Sequence, residues 1–290
     1  MGGGTWTRDT FATYSTSIGR SVDSRGAISG DYRAQEMFTQ RRIAPELDPK
    51  NAIRECCDSE EHPNTRPVIL ALDVTGSMGG ASVKVAKELN VIMTELYGKV
   101  KDVEFLIMGI GDLAYDSAPI QASQFESDIR IAEQLDKIYF EGGGGGNSYE
   151  SYTAAWYFGL NHCKLDCWNR GKKGIIITLG DEPLNPYLLA ASLSGVTGDK
   201  LQGDVETDAL YKEVIQKYDV YHLAVEDRET SYWRYADRIK SSFGKYLDEN
   251  HLKVVNMDNL PNTIVDIVVN SVENIPAGTV NTDATGAISW

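Results

Sequence analysis

The chain has 290 residues, and its 42% hydrophobic and 24% charged residues are globular proportions, far from the low-apolar signature of disorder. Lys and Arg number 28 against 42 Asp and Glu. The resulting net charge of −14 argues against a general nucleic-acid or anionic-membrane binder and leaves a divalent cation or a basic partner as the better match.

Residues 1–65 are rich in Ser, Thr, Arg and Gly and lack long apolar periodicity. Eight basic and six acidic residues up to Arg54 leave residues 1–54 near +2 and the remainder near −16. It reads as an N-terminal extension that packs across an acidic domain or serves as an assembly arm, or else as a disordered leader. Tyr32, Met37, Phe38, Ile43 and Leu47 are its candidate anchors.

From Arg66 strands and helices alternate. Pro67-Val68-Ile69-Leu70-Ala71-Leu72 is a continuous apolar run, the pattern of a strand buried on both faces. Val85, Leu89, Ile92 and Leu96 then step at helical spacing. A second strand is expected over 103–109, a second helix around Ile131, Leu135 and Ile138, and a largely buried third helix over 152–160. Strands follow at 175–178 and 220–225. A helix stripe through Ala236, Ile239, Phe243 and Leu247 precedes a strand at 252–257. Asn259 with Pro261 marks a last helix, lined by Ile264, Val268 and Val272. This alternation predicts an α/β domain over 66–273, a Rossmann-like three-layer sandwich whose mostly parallel central sheet carries helices on both faces. Residues 274–290 revert to Gly, Thr and Ala and read as a tail. No apolar run has transmembrane length, and the opening Met1-Gly2-Gly3-Gly4-Thr5-Trp6 lacks the apolar core of a secretory signal, so cytoplasmic residence is expected.

Four cysteines are too few for a disulfide scaffold, which also favours an intracellular setting. Cys163 and Cys167 lie four apart on an apparent helix beside His162, and with Cys56 and Cys57 they could complete a zinc set; reduced structural thiols are the plainer reading.

In open α/β sheets ligands bind beyond the carboxyl ends of the strands. After the first strand comes Asp73-Val74-Thr75-Gly76-Ser77-Met78-Gly79-Gly80, in which Asp73, Thr75 and Ser77 alternate so that their oxygens can converge. Before the third helix stands a run of glycines, 142–146, followed by Asn147-Ser148-Tyr149-Glu150-Ser151. The 175–178 strand leads into Gly180-Asp181-Glu182-Pro183. All three loops belong to one edge of the predicted sheet and offer only oxygen ligands. A hydroxyl-rich, carboxylate-poor set suits Mg²⁺ or Mn²⁺ better than Ca²⁺. Plainer readings exist: Asp73 and Ser77 as helix caps, the glycines as a hinge, Asp181 as a turn residue.

This arrangement resembles the von Willebrand factor A (VWA) domain family with its metal-ion-dependent adhesion site. The family's Asp-x-Ser/Thr-x-Ser loop is matched by Asp73, Thr75 and Ser77, and its later aspartate after a buried strand by Asp181. Many members carry a threonine after the Gly-rich stretch, where this chain has Asn147, so the third ligand stays open among Asn147, Ser148 and Glu150. Asp112 resembles a further family aspartate and is a secondary candidate. The resemblance implies a non-enzymatic, metal-dependent protein-binding module, an adaptor or scaffold whose ion accepts an Asp or Glu carboxylate from a protein partner. It also implies a setting beside an AAA+ ATPase or in a larger assembly. The alternatives are a structural or assembly subunit whose metal only braces the loops and, further off, a metal-dependent hydrolase.

Other motifs weigh against enzymatic readings. Gly109-Ile110-Gly111-Asp112-Leu113-Ala114 has dinucleotide-type spacing but opens no helix. The glycine run lacks the Gly-Lys-Ser/Thr ending of a phosphate loop, and Thr75 occupies the first glycine of a nucleophile elbow around Ser77. None of His62, His162, His222 and His251 belongs to the strand-end loops, so no general base is evident, and His222 reads as a packed strand residue.

Overall fold

The computed structural model describes residues 4–143 and 146–273, with the backbone of Asn281–Thr282 and Ile288–Ser289. The 274–290 tail therefore lies almost wholly outside the described residues, as do Gly144 and Gly145 of the glycine run.

The arm forms helices α1 (Arg8–Ser17) and α2 (Ala34–Met37) and strand β1 (Arg54–Cys56). The domain continues through β2 (Arg66–Asp73), α3 (Gly79–Lys99), β3 (Val103–Ile110), β4 (Ile120–Ala122), α4 (Arg130–Leu135) and α5 (Thr153–Asn161). Next come β5 (Cys163–Leu165), α6 (Asp166–Asn169), β6 (Gly174–Gly180), β7 (Tyr187–Leu188), α7 (Ala190–Thr197), β8 (Val205–Glu206) and α8 (Thr207–Lys217). The last elements of the domain are β9 (Tyr218–Val225), α9 (Tyr232–Phe243), β10 (Leu252–Val255) and α10 (Leu260–Glu273).

The central sheet has the order β10-β9-β6-β2-β3-β4, with every pairing parallel except β3 with β4. Every residue of β2, β3 and β6 is buried, which is why these strands read as unbroken apolar runs. The pleat divides β2 between two cores. Val68, Leu70 and Leu72 pack with α3, α4, α10 and the arm. Ile69 and Ala71 pack with α5, α7, α8 and α9 on the other face. The expected α/β fold, a mostly parallel sheet with helices on both faces, is thus borne out.

From β2 the chain steps to β3 on one side, and β6 returns on the other, so the strand order reverses between β2 and β6. Diverging loops leave a crevice at such a point, and the loops after β2 and β6 flank it.

The arm is part of the core. Phe11, Met37, Phe38 and Leu47 are almost fully buried on the α3 side. Trp6 donates its indole N–H to Asn90 Oδ1 (2.9 Å), and Asn90 in turn donates to Gly26 O (3.0 Å), tying two points of the arm to α3.

Several expectations are corrected. Cys163 and Cys167 do not share a helix: α5 stops at His162, and Cys163–Leu165 instead pairs in parallel with Arg54–Cys56 of the arm. The backbone of this segment is claimed by a strand whose partner lies over a hundred positions away, which helical spacing cannot reveal. Helices α7 and α8 and the antiparallel edge strand β4 were not expected; α8 buries only Thr207, Leu210 and Val214, too thin a stripe to stand out. Ile138 lies beyond the end of α4, yet is buried.

Candidate functional site

Asp73 is the last residue of β2, and its side chain is fully buried. Its Oδ1 accepts hydrogen bonds from the Thr75 amide (2.9 Å) and hydroxyl (2.5 Å), and Oδ2 accepts one from the Tyr152 hydroxyl (2.8 Å). Asp181 follows β6 directly and is equally buried; Oδ2 accepts the Ser231 amide (2.5 Å), and Ser77 lies near enough to act on this carboxyl. Burial, then the charge of Asp181, pushes the Asp73 carboxyl well above the usual carboxylate range. Burial likewise raises Asp181.

The glycine run is drawn to the first loop by Gly76 N to Gly143 O (2.9 Å) and Gly142 N to Val74 O (3.2 Å), with Gly142 at φ +66, where a side chain is strained. Glu150 follows as a bridge residue paired with Leu184. It is 2% exposed, and its carboxyl is raised by burial and then by Asp73, Asp116, Glu182 and Asp112. Asp112 is also buried; its Oδ1 accepts the Ala114 amide (2.7 Å), and it stands on the Glu150 and Glu182 side of the cluster.

The structure therefore brings together Asp73, Thr75, Ser77 and Asp181, with Glu150 close enough to act on Asp73 electrostatically and Asp112 on the flank. Asn147 is half-buried and makes no hydrogen bond to Asp73 or Asp181 among the described residues. Ser148 is engaged elsewhere, accepting a hydrogen bond from Arg238 Nη1 (2.8 Å).

The residues fit a hard cation. Asp181 Oδ1, Glu150 Oε2 and Asp112 Oδ2 are buried oxygens without hydrogen-bond partners among the described residues. The groups that bear on the Asp73 carboxyl, namely Asp181, Thr75 and Tyr152, include no cation to offset the mutual repulsion of two desolvated carboxylates. Among the described residues no three His, Cys, Asp or Glu side chains converge as a metal set, so any site here depends on hydroxyls beside its carboxylates. The zinc alternative is not assembled. Both ring nitrogens of His162 are taken, by Ala52 O (2.9 Å) and Asp199 Oδ2 (2.7 Å), and burial raises the Cys163 and Cys167 thiols to about 12.

Sequence reasoning missed the residue that joins these loops. Tyr152 precedes α5, is fully buried, and while donating to Asp73 its oxygen accepts the amides of Asp181 (3.2 Å) and Glu182 (3.3 Å). A Cβ at Gly180 would overlap the Tyr152 phenol, so the glycine ahead of Asp181 makes room for it. The available signal was a tyrosine in an otherwise apolar buried stretch, whose hydroxyl must find a partner. Among the described residues the histidines make no hydrogen bond to Asp73, Glu150 or Asp181: His62 bonds Asp102, His251 bonds Asp248, and His222 bonds Thr178 Oγ1 (2.8 Å) within the core.

Fold and site together define an α/β chain with an acidic, hydroxyl-lined loop cluster at the carboxyl edge of its sheet. No protein-family model matches the chain, and no curated protein does. Among solved structures it is similar to the pilus adhesin SpaC from Lactobacillus rhamnosus GG in its open conformation, with a TM-score of 0.46 and 11% identity over 76% of this chain and 31% of that one. It is also similar to proximal thread matrix protein 1 of the mussel byssus (TM-score 0.44, 11% identity, 74% and 49% covered). A third likeness is to the vWF domain of the type V pili tip protein Mfa5 from Porphyromonas gingivalis (TM-score 0.43, 12% identity, 72% and 95% covered). The chain thus spans about a third of the length of the adhesin. With TM-scores below 0.5, these likenesses add nothing to what strand order and crossovers already define. Among the described residues no helix is long and apolar enough to cross a membrane.

Proposed function

We propose that this chain is a non-enzymatic, metal-dependent protein-binding module of the VWA type. The observation that carries this reading is the pair of buried carboxylates, Asp73 and Asp181, delivered by adjacent strand ends with the hydroxyls of Thr75 and Ser77 beside them. Asp73, Thr75, Ser77 and Asp181 would hold Mg²⁺ or Mn²⁺, with Glu150 acting directly or through a water. The ion would supply the charge that offsets the carboxylates and a coordination position for an Asp or Glu oxygen of the partner.

The chain's own residues pre-set this arrangement. Thr75 and Tyr152 fix both oxygens of Asp73, and the Ser231 amide fixes one oxygen of Asp181, leaving the other without a partner. Cytoplasmic residence belongs to the same proposal; its support is that all four cysteines are free thiols.

Calorimetric titration with Mg²⁺ and Mn²⁺, paired with partner capture in Mg²⁺ and in EDTA, tests the reading. Saturable binding together with EDTA-sensitive partners is expected. EDTA-sensitive melting with an unchanged partner list would instead leave the metal as a structural brace, and no binding of either ion would overturn the proposal.

A further inference from the structure

The net charge of −14 would repel an acidic partner at long range, so engagement of a carboxylate needs local compensation. That compensation stands on α9. Its preceding residue, Ser231, bonds Asp181, which places the first turns of the helix at the rim of the site. Arg234 and Arg238, four apart on one flank, are exposed and form no ion pair among the described residues. Both act electrostatically on Glu182, next to Asp181, and Arg238 reaches the glycine-run loop through Ser148. Tyr235 lies beneath the two guanidinium groups at 5.1 and 5.5 Å, which holds the forks in place while leaving donors free.

Two large exposed aromatics stand beside these elements. Trp233, in the same turn as Arg234, is 66% exposed. Tyr115 is 59% exposed and lies against Gly146 at the other side of the glycine-run loop. Arg, Trp and Tyr are the residue types that dominate binding energy at protein interfaces.

We infer that Arg234, Arg238, Trp233 and Tyr115 form a recognition rim for an acidic polypeptide segment that carries several carboxylates and an apolar side chain. One carboxylate faces the Asp73 and Asp181 loops, neighbouring ones pair with the two arginines, and the apolar side chain packs on an aromatic. This rests on the metal-dependent binding proposed above and adds the class of partner.

The test uses the full chain and a fluorescein-labelled peptide of mixed Asp and Glu with one central Leu, against its Asn/Gln counterpart, by fluorescence anisotropy in Mg²⁺ and in EDTA. The acidic peptide is expected to bind, with affinity falling as salt rises. The double variant Arg234→Glu/Arg238→Glu is expected to lose at least about tenfold in affinity, and Trp233→Ala a smaller factor. Both variants should keep the wild-type Mg²⁺ effect on melting, which shows that they fold. Equal affinity of wild type and the double variant, or of the acidic and amide peptides, would overturn the inference. Failure of Mg²⁺ to affect wild-type melting would count against the metal reading alone, because arginine-dependent binding in EDTA would still establish the rim.

Discussion

Replacing Tyr152 by Phe deletes one oxygen and disconnects three loops. The lost hydroxyl donates to Asp73 Oδ2 and accepts from the amides of Asp181 and Glu182, while the ring stays among His222 and Phe243 with centroids at 5.0 and 5.9 Å. A hydrogen bond to a charged acceptor contributes about 2 kcal/mol, and an amide left without its acceptor costs about 1 kcal/mol or more, so the total is about 4 kcal/mol. For a chain of this length that corresponds to a fall in melting temperature of about 6 °C. Because Asp73 loses the group that orients one of its oxygens, Mg²⁺ affinity should also fall, by about tenfold or more. Gly180→Ala should reproduce both effects by steric means, since its methyl group displaces the same phenol. Differential scanning calorimetry and calorimetric Mg²⁺ titration measure the two quantities. A Tyr152→Phe protein that melts within about 1 °C of wild type and binds Mg²⁺ equally would refute the idea that this hydroxyl couples the loops.

Asp73→Ala should abolish the Mg²⁺-dependent stabilisation, which for wild type at a hundredfold excess over Kd is about 2.7 kcal/mol; thermal melts with and without Mg²⁺ decide this. His222 is held to a pKa of about 3 by burial, below its ordinary 6.5, so the folded state is disfavoured as the unfolded chain takes up a proton. Its contribution is complete above about pH 6.5 and is lost as pH falls towards about 3, and His222→Phe should flatten this limb in denaturant titrations across that range. Leu47→Ala, in the arm, should cost about 2–5 kcal/mol in urea unfolding because Leu47 is wholly buried; an exposed-loop value below about 0.5 kcal/mol would show that the arm is dispensable. Ile264→Ala should cost a similar amount by loosening α10 from α3, again read by urea unfolding.

The sequence by itself determined the layers of this protein and the kind of residues at its strand ends. Strands buried on both faces must be apolar throughout, so 67–72 and 175–178 declare themselves without a partner in view, and each observed strand extends the predicted core by only a residue or two at either end. Helix stripes such as Val85, Leu89, Ile92 and Leu96 are equally local, because burial of one face dictates a spacing of three and four. Asp73, Thr75, Ser77 and Asp181 were legible for a related reason: polar residues directly after an apolar run break its pattern and need polar partners.

Tertiary structure alone decided how those residues meet. The bond from Tyr152 to Asp73 spans 79 positions, and no periodicity records a contact of that kind. The arm's place on α3 depends on a few scattered anchors rather than a repeating stripe, and Cys163–Leu165 became a strand because Arg54–Cys56 lies beside it. The orientation of Ser148 towards Arg238 likewise depends on α9 being placed against the glycine-run loop. Local pattern reports which face of an element is buried; which groups face one another across the carboxyl edge is set by strand order, and that follows from the packing of the whole chain.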